Sequence, residues 1–274
     1  NSGRSNSMQR KHDVRERLAG IRCFLLDMDG TFYLGNRLLD GSLQFLDKVQ
    51  STGRQALFLT NNSSKSAETY IGKLQRMGVR DPFLRVLTSG QATGQYALKA
   101  FPEQSAFVLG TDMLRKELQS IGIILNDQKP DYVIVGYDTT LDYLKMTRVC
   151  DLVRAGLPYI ATHPDFNCPT ETGFAPDIGA IISFIEASAG RRPDVIIGKP
   201  YRGIVDEAMR ITGLRTDQLA MVGDRLYTDI AMSVRHGMLG ILVLTGEAQR
   251  EDIVNSPDQP DLIFGRLSNM IEYL

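Results

Sequence analysis

No apolar run in this sequence approaches the roughly 18 to 20 residues that a membrane-spanning helix needs, so a bilayer-embedded protein is not expected. Cysteine is scarce: Cys23, Cys150 and Cys168 are widely spaced, odd in number and without a CxxC pair. They match neither a disulfide framework nor a zinc-binding pattern, and a reducing, cytoplasmic setting is the expectation. A strong charge of either sign is lacking too. A formal net charge of −1 and a pI near 6.4 give no global attraction to nucleic acid or to an anionic membrane, and no interior block of like charge stands out. The expected partner is a small molecule. No signal-peptide pattern opens the chain, and NSGRSNS, ahead of Met8, is small, polar and non-periodic. Residues 1–17 therefore read as a tail outside the fold, with the stretch before Met8 either an added leader or a natural disordered segment.

What the sequence does contain is a repeated alternation. Short apolar or β-branched runs end in Gly, Asn, Asp or Thr and lead into amphipathic segments, the pattern of strands feeding helices through short loops. The runs are IRCFLLD, QALFLTNN, AFVLGTD, DYVIVGYD, LPYIATHPD, DVIIGKP, LAMVGDR and GILVLTG. Between them lie helical stretches such as SKSAETYIGKLQRMG, where Tyr70, Leu74 and Met77 share a face and Gly78 supplies a stop. Such repetition predicts an α/β architecture with parallel sheets, and 274 residues suffice for one large domain or two modest ones. No internal repeat of fixed period and no low-complexity interior is visible.

Ligands of open parallel sheets bind beyond the carboxyl ends of the strands, and several polar residues fall there. Asp27 and Asp29 follow the run CFLL, with Gly30 and Thr31 next. A lone DxD is weak evidence: a strand ending in Asp often caps a turn, and glycosyltransferases bind a metal through the same pattern. Gly30, however, lets backbone approach an anion closely. Thr60 and Asn61 offer a hydroxyl and N–H groups ahead of a helix, a seat for phosphate that is also a common N-cap. Lys199, in IIGKP, reads alone as a solvated lysine, with Pro200 at the permitted first turn of a helix. Asp224 and Asp229, in MVGDRLYTDI, suit a hard cation held through oxygens. Converging carboxylates repel by about 4 kcal/mol per close pair at an effective dielectric near 20, which a divalent cation and a lysine relieve.

Taken in order, DxDGT, TNN, GKP and VGDRxxTD resemble the haloacid dehalogenase superfamily of phosphohydrolases, over nearly the whole chain from about Ile21. Only about 30 residues separate the first two motifs, whereas nearly 140 separate TNN from GKP, far more than a short connection within such a fold. The surplus implies a second domain. In the family an insertion here is a cap of the second (C2) type, and ATHPDFNCPTETGFAPDIGAI looks like the cap loop of the p-nitrophenylphosphatase-like branch, subfamily IIA. The resemblance thus implies a Rossmann-like core over 18–84 and 187–274 and an α/β cap over 85–186, with hinges near Arg85 and Ala187.

It also implies a magnesium-dependent phosphomonoester hydrolase. Asp27 would be the nucleophile and Asp29 the acid/base; Asp29, Gly30, Thr60, Asn61 and Lys199 would bind the phosphoryl group. Magnesium would sit on Asp27, the Asp29 carbonyl, Asp224 and Asp229, the last directly or through water. His163, Asp165 and Asn167 of the cap loop would touch the leaving group, although a loop histidine bonded to its own backbone is an equal reading of His163. The substrate would be a small phosphate ester: a sugar phosphate, nucleoside monophosphate, phosphoglycolate, glycerol phosphate or pyridoxal phosphate. The resemblance admits association of like chains through the cap. A phosphotransferase or phosphomutase would use the same motifs, and a non-catalytic phosphate sensor would be favoured had Asp29 been missing.

Overall fold

The computed structural model describes residues 2–274. The chain divides into two compact units, one comprising residues up to 59, 71–86 and 208–274, the other 60–70 and 87–207. Among the described residues no helix is long and apolar enough to cross a membrane.

The first unit is organised by a six-stranded sheet in the order Leu262–Phe264, Leu239–Val243, Leu219–Gly223, Cys23–Leu26, Gln55–Thr60, Val86–Thr88. The central strand Cys23–Leu26 runs parallel to both neighbours, Leu26 lying against Val222 on one side and Phe58 on the other. All of its residues are buried, as are all of Leu219–Gly223, which is why these runs are continuously apolar rather than alternating. Helix Ser42–Ser51 buries Phe45, Leu46 and Val49. The ring of Phe45 meets Phe24 edge-on with centroids 5.6 Å apart, and Phe32 meets Phe58 at 4.9 Å. On one side of Cys23–Leu26 the neighbouring strands come from later in the chain than on the other, so strand order reverses there. Such a switch point opens a crevice at the strands' carboxyl ends, and Asp27, Thr60 and Asp224 all stand at that edge.

The second unit has its own parallel sheet of five strands, ordered Val195–Ile196, Tyr159–Ala161, Tyr132–Val135, Ser105–Leu109, Ile124–Leu125. Helices Tyr143–Arg154 and Ile178–Ala189 cover it, closing a core that includes Val133, Val135, Val149, Val153, Ile182 and Ile185. An antiparallel hairpin, Asn167–Thr170 with Gly173–Pro176, projects from the stretch between Ala161 and Ile178.

Each of the eight apolar runs contains a strand, but three details differ from expectation. The run DVIIGKP contributes Val195–Ile196 to the second sheet, pairing with Ile160 and Ala161, so the chain stays with the second unit well past Ala187. The helix after Pro200 begins at Arg202. The N-terminal segment is not a bare tail: Ser2–Ala19 is helical, with Arg17 donating to the Asp261 carbonyl at 2.8 Å and Lys11 pairing with Glu272 at 3.2 Å; Asn1 lies outside the described residues. A charged helix with no clean apolar stripe carries little periodic signal, and its anchors sit more than 200 residues away in sequence.

Candidate active site

In the first unit the structure gathers Asp27, Asp224 and Asp229, each offering a carboxylate oxygen within 4.8 Å of the others. Asp27 follows strand Cys23–Leu26 and its N–H is fixed to the Val222 carbonyl at 3.0 Å. Asp224 follows Leu219–Gly223, and Asp229 rides on the π-helical turn Leu226–Ile230, a wide turn of the kind that recurs at functional sites. Asp229 is wholly buried, Asp224 nearly so and Asp27 partly exposed. Burial first, then the charges of Asp27 and Asp229, push the Asp224 carboxyl up to about 8.

Neighbouring backbone shapes this cluster. Asp224 Oδ2 accepts the Glu247 N–H at 2.9 Å, and Asp229 Oδ2 accepts the Arg225 N–H at 3.2 Å. Asp224 Oδ1 is buried without a hydrogen-bond partner, an arrangement that is costly unless something else meets the oxygen. A Cβ on Gly30 or Gly246 would collide with the Asp224 carboxylate, and one on Gly223 with that of Asp229, so these positions admit no side chain. Three crowded carboxylates, an orphaned oxygen and a glycine-lined cradle fit a hard divalent cation bound through oxygen.

The segment after strand Leu239–Val243 holds the cluster together, a role the sequence reading missed. The Thr245 hydroxyl donates to the Gly30 carbonyl at 2.6 Å, and the Ala248 N–H to the Asp224 carbonyl at 3.0 Å. The Glu247 carboxylate takes Arg225 Nε at 2.9 Å and the Tyr227 hydroxyl at 2.8 Å. LTGE directly follows a strand that pairs with the one leading into Asp224, and that adjacency is the available signal. The Asp29 carboxylate is not part of the three-carboxylate group. It is exposed and accepts the Gly35 N–H at 3.3 Å, at the base of the hairpin Tyr33–Leu34 with Arg37–Leu38. Burial, then Asp29 and Asp27, push the Tyr33 hydroxyl upward, and the Lys73 ammonium lies 4.0 Å above its ring.

In the second unit a separate polar network forms. Thr60 ends its strand with the hydroxyl accepting the Asn62 N–H at 3.1 Å. Asn61 and Lys199, 138 residues apart, meet through paired hydrogen bonds: the Lys199 N–H donates to Asn61 Oδ1 at 2.8 Å and Asn61 Nδ2 donates to the Lys199 carbonyl at 3.0 Å. Lys199 is no surface lysine; it is 3% exposed. Asp165 turns toward Asn61 and accepts its Nδ2 at 3.1 Å. His163 departs from the expected leaving-group contact. It is fully buried, with Nε2 2.9 Å from Asp177 Oδ1 and Nδ1 2.8 Å from the Thr162 hydroxyl, so both ring nitrogens are engaged inside the protein. Asp177 in turn caps helix Ile178–Ala189, which makes this pair a brace for the loop. Asn167 is exposed at the start of the hairpin, after the exposed Phe166 and opposite Pro176, and the second strand carries the exposed Phe174.

Comparison with known proteins accords with this arrangement. Residues 24–124 match the model of the haloacid dehalogenase-like hydrolases and residues 196–270 that of a HAD-hydrolase-like family. An acid sugar phosphatase of Staphylococcus aureus is 37% identical over 254 residues, covering 92% of this chain and 98% of that protein. The 4-nitrophenylphosphatase of Thermotoga maritima superposes with a TM-score of 0.90 at 44% identity, over 93% of this chain and 98% of the other. NagD of E. coli K-12 does so with a TM-score of 0.84 at 31% identity, over 90% and 97%. The chain belongs to the haloacid dehalogenase-like hydrolases. Its relatives named as an acid sugar phosphatase and a 4-nitrophenylphosphatase are phosphoric monoester hydrolases of that superfamily.

Proposed function

We propose that this chain is a magnesium-dependent phosphomonoester hydrolase that acts on a small sugar phosphate or similar ester through a phosphorylated aspartate. The observation that carries the reading is the cluster of Asp27, partly exposed, with the buried Asp224 and Asp229 at the switch point of a parallel sheet. Asp27, Asp224 and Asp229, with the Asp29 carbonyl, would hold the cation. When bound, the cation neutralises the carboxylates and the phosphoryl oxygens. An oxygen of Asp27 attacks phosphorus as the bond to the leaving oxygen breaks, and Asp29 gives that oxygen a proton. Water then attacks the aspartyl-phosphate, its proton passes to Asp29, and the Asp27 carboxylate is released with inorganic phosphate. The exposed position of Asp29 suits a group that must reach both leaving group and water. Thr60, the Asn61 N–H and Lys199 would bind the transferring group, so that positioning and charge supply most of the acceleration. Residues of the second unit would act as a cap, with Asn167 a contact to the leaving group. The sugar phosphate class rests on the acid sugar phosphatase relatives.

The test is hydrolysis of 4-nitrophenyl phosphate with and without magnesium. Chelation is expected to abolish turnover, and Asp27→Asn to lower kcat by about three orders of magnitude, over 4 kcal/mol of barrier. Activity within tenfold of the parent enzyme would exclude the covalent route. Phosphorylated glycerol or sugar appearing when those alcohols are added would instead identify a phosphotransferase.

A further inference from the structure

Asn61 is placed by the resemblance among the phosphate ligands, yet its carboxamide is committed elsewhere. Its Oδ1 and Nδ2 engage the N–H and carbonyl of Lys199 as a neighbouring strand's backbone would, at 2.8 and 3.0 Å. A Cβ on Gly198 would stand 2.7 Å from Asn61 Oδ1, so glycine before the lysine is what allows the pair to close. The Asn61 carbonyl is pinned in turn by the Ser89 hydroxyl at 2.5 Å. The second Nδ2 proton goes to Asp165 at 3.1 Å, and Asp165 accepts the Gly179 N–H through its own carbonyl at 2.7 Å. Both ends of the carboxamide are buried, where a lost hydrogen bond leaves partners unpaired.

We propose that Asn61 and Asp165 are positioning residues for Lys199, the Asn61 carboxamide fixing the lysine's main chain and the Asp165 carboxylate fixing the carboxamide. Asp165 then governs affinity for the phosphoryl group that all substrates share, rather than choice among leaving groups. The inference rests on the phosphate-binding role proposed for Lys199. Carboxamide chemistry is essential to it. Aspartate at position 61 keeps the shape but turns an oxygen toward the Lys199 carbonyl and toward Asp165, replacing two attractions with two repulsions.

The experiment measures vanadate and magnesium affinities by calorimetry for the parent enzyme, Asn61→Ala, Asn61→Asp, Asp165→Ala, Lys199→Ala and the exchange N61D/D165N, with folding followed by circular dichroism. Vanadate affinity is expected to fall about tenfold or more in Asn61→Asp, with magnesium affinity unchanged. The exchange variant should regain part of the loss, because the carboxamide moved to position 165 can donate to the carboxylate now at position 61. Asp165→Ala should lower kcat/KM equally for 4-nitrophenyl phosphate and for a sugar phosphate. Should Asn61→Ala not fold, the near-isosteric Asn61→Asp carries the test. Parent-like vanadate binding in Asn61→Asp, alongside lost binding in Lys199→Ala, overturns the positioning role. Unchanged binding in Lys199→Ala overturns the phosphate-binding role itself, and a loss in Asp165→Ala confined to the sugar phosphate makes Asp165 a leaving-group contact.

Discussion

Gly246 touches no substrate in the proposed chemistry, yet no larger residue fits there, because a Cβ would stand 2.0 Å from Asp224 Oδ2. Gly246→Ala is expected to push that carboxylate out of the cluster, weakening magnesium affinity at least tenfold by calorimetry and costing about 1–3 kcal/mol of stability through crowding. Unchanged magnesium affinity would show that Asp224 is not a ligand. The same scale explains why the sequence misleads at His163. A histidine in a polar loop announces neither the direction of its ring nor the partners it finds, and Asp177, fourteen residues on, decides both. Removing that carboxylate should therefore act on stability. Asp177→Ala deletes a helix cap and strands a buried imidazole nitrogen, together about 2–4 kcal/mol in urea unfolding, whereas Asp177→Asn, which retains an acceptor, should cost clearly less.

At the scale of elements, legibility follows length. The runs CFLL, QALFLT and LAMVG are readable because central parallel strands are buried on both faces, and they deliver Asp27, Thr60 and Asp224 directly at their ends. Strands Ile124–Leu125, Tyr33–Leu34 and Val86–Thr88 have two or three residues, too few to establish any period. The hairpin Asn167–Thr170 with Gly173–Pro176 is hidden for another reason: it is mostly exposed, so no apolar alternation marks it. Motif order discloses Asp27 and Asp224, since each directly follows its strand, and Asp229 in the turn after the second of these strands. The Asn61 to Lys199 clamp and the Thr245 to Gly30 bond join segments 138 and 215 residues apart through backbone carbonyls, and composition says nothing of which carbonyl a side chain will meet.

For the molecule as a whole, the carboxylate cluster makes stability depend jointly on pH and metal. Asp224 titrates near 8 in the folded chain and near 4 when unfolded, so the folded state holds its proton more tightly. Its contribution is full below pH 4 and is lost as pH rises toward 8. Burial also raises the Glu117 carboxyl, which works in the same direction. The metal-free protein should lose melting temperature between pH 5 and pH 8, and magnesium should raise Tm more at pH 8 than at pH 5, because cation and proton compete for the same carboxylate. Equal magnesium shifts at both values would argue against the cluster as its site. The strand order carries a further consequence, for synthesis on the ribosome. Strand Cys23–Leu26 emerges early, but the neighbour that closes one side of it, Leu219–Gly223, is almost 200 residues later. At about 5–20 residues per second the nascent chain waits roughly 10–40 s with that edge unpaired. During that interval the strand that leads to Asp27 is a template for pairing with the wrong chain, so this window of aggregation risk closes only once Leu219–Gly223 has been made.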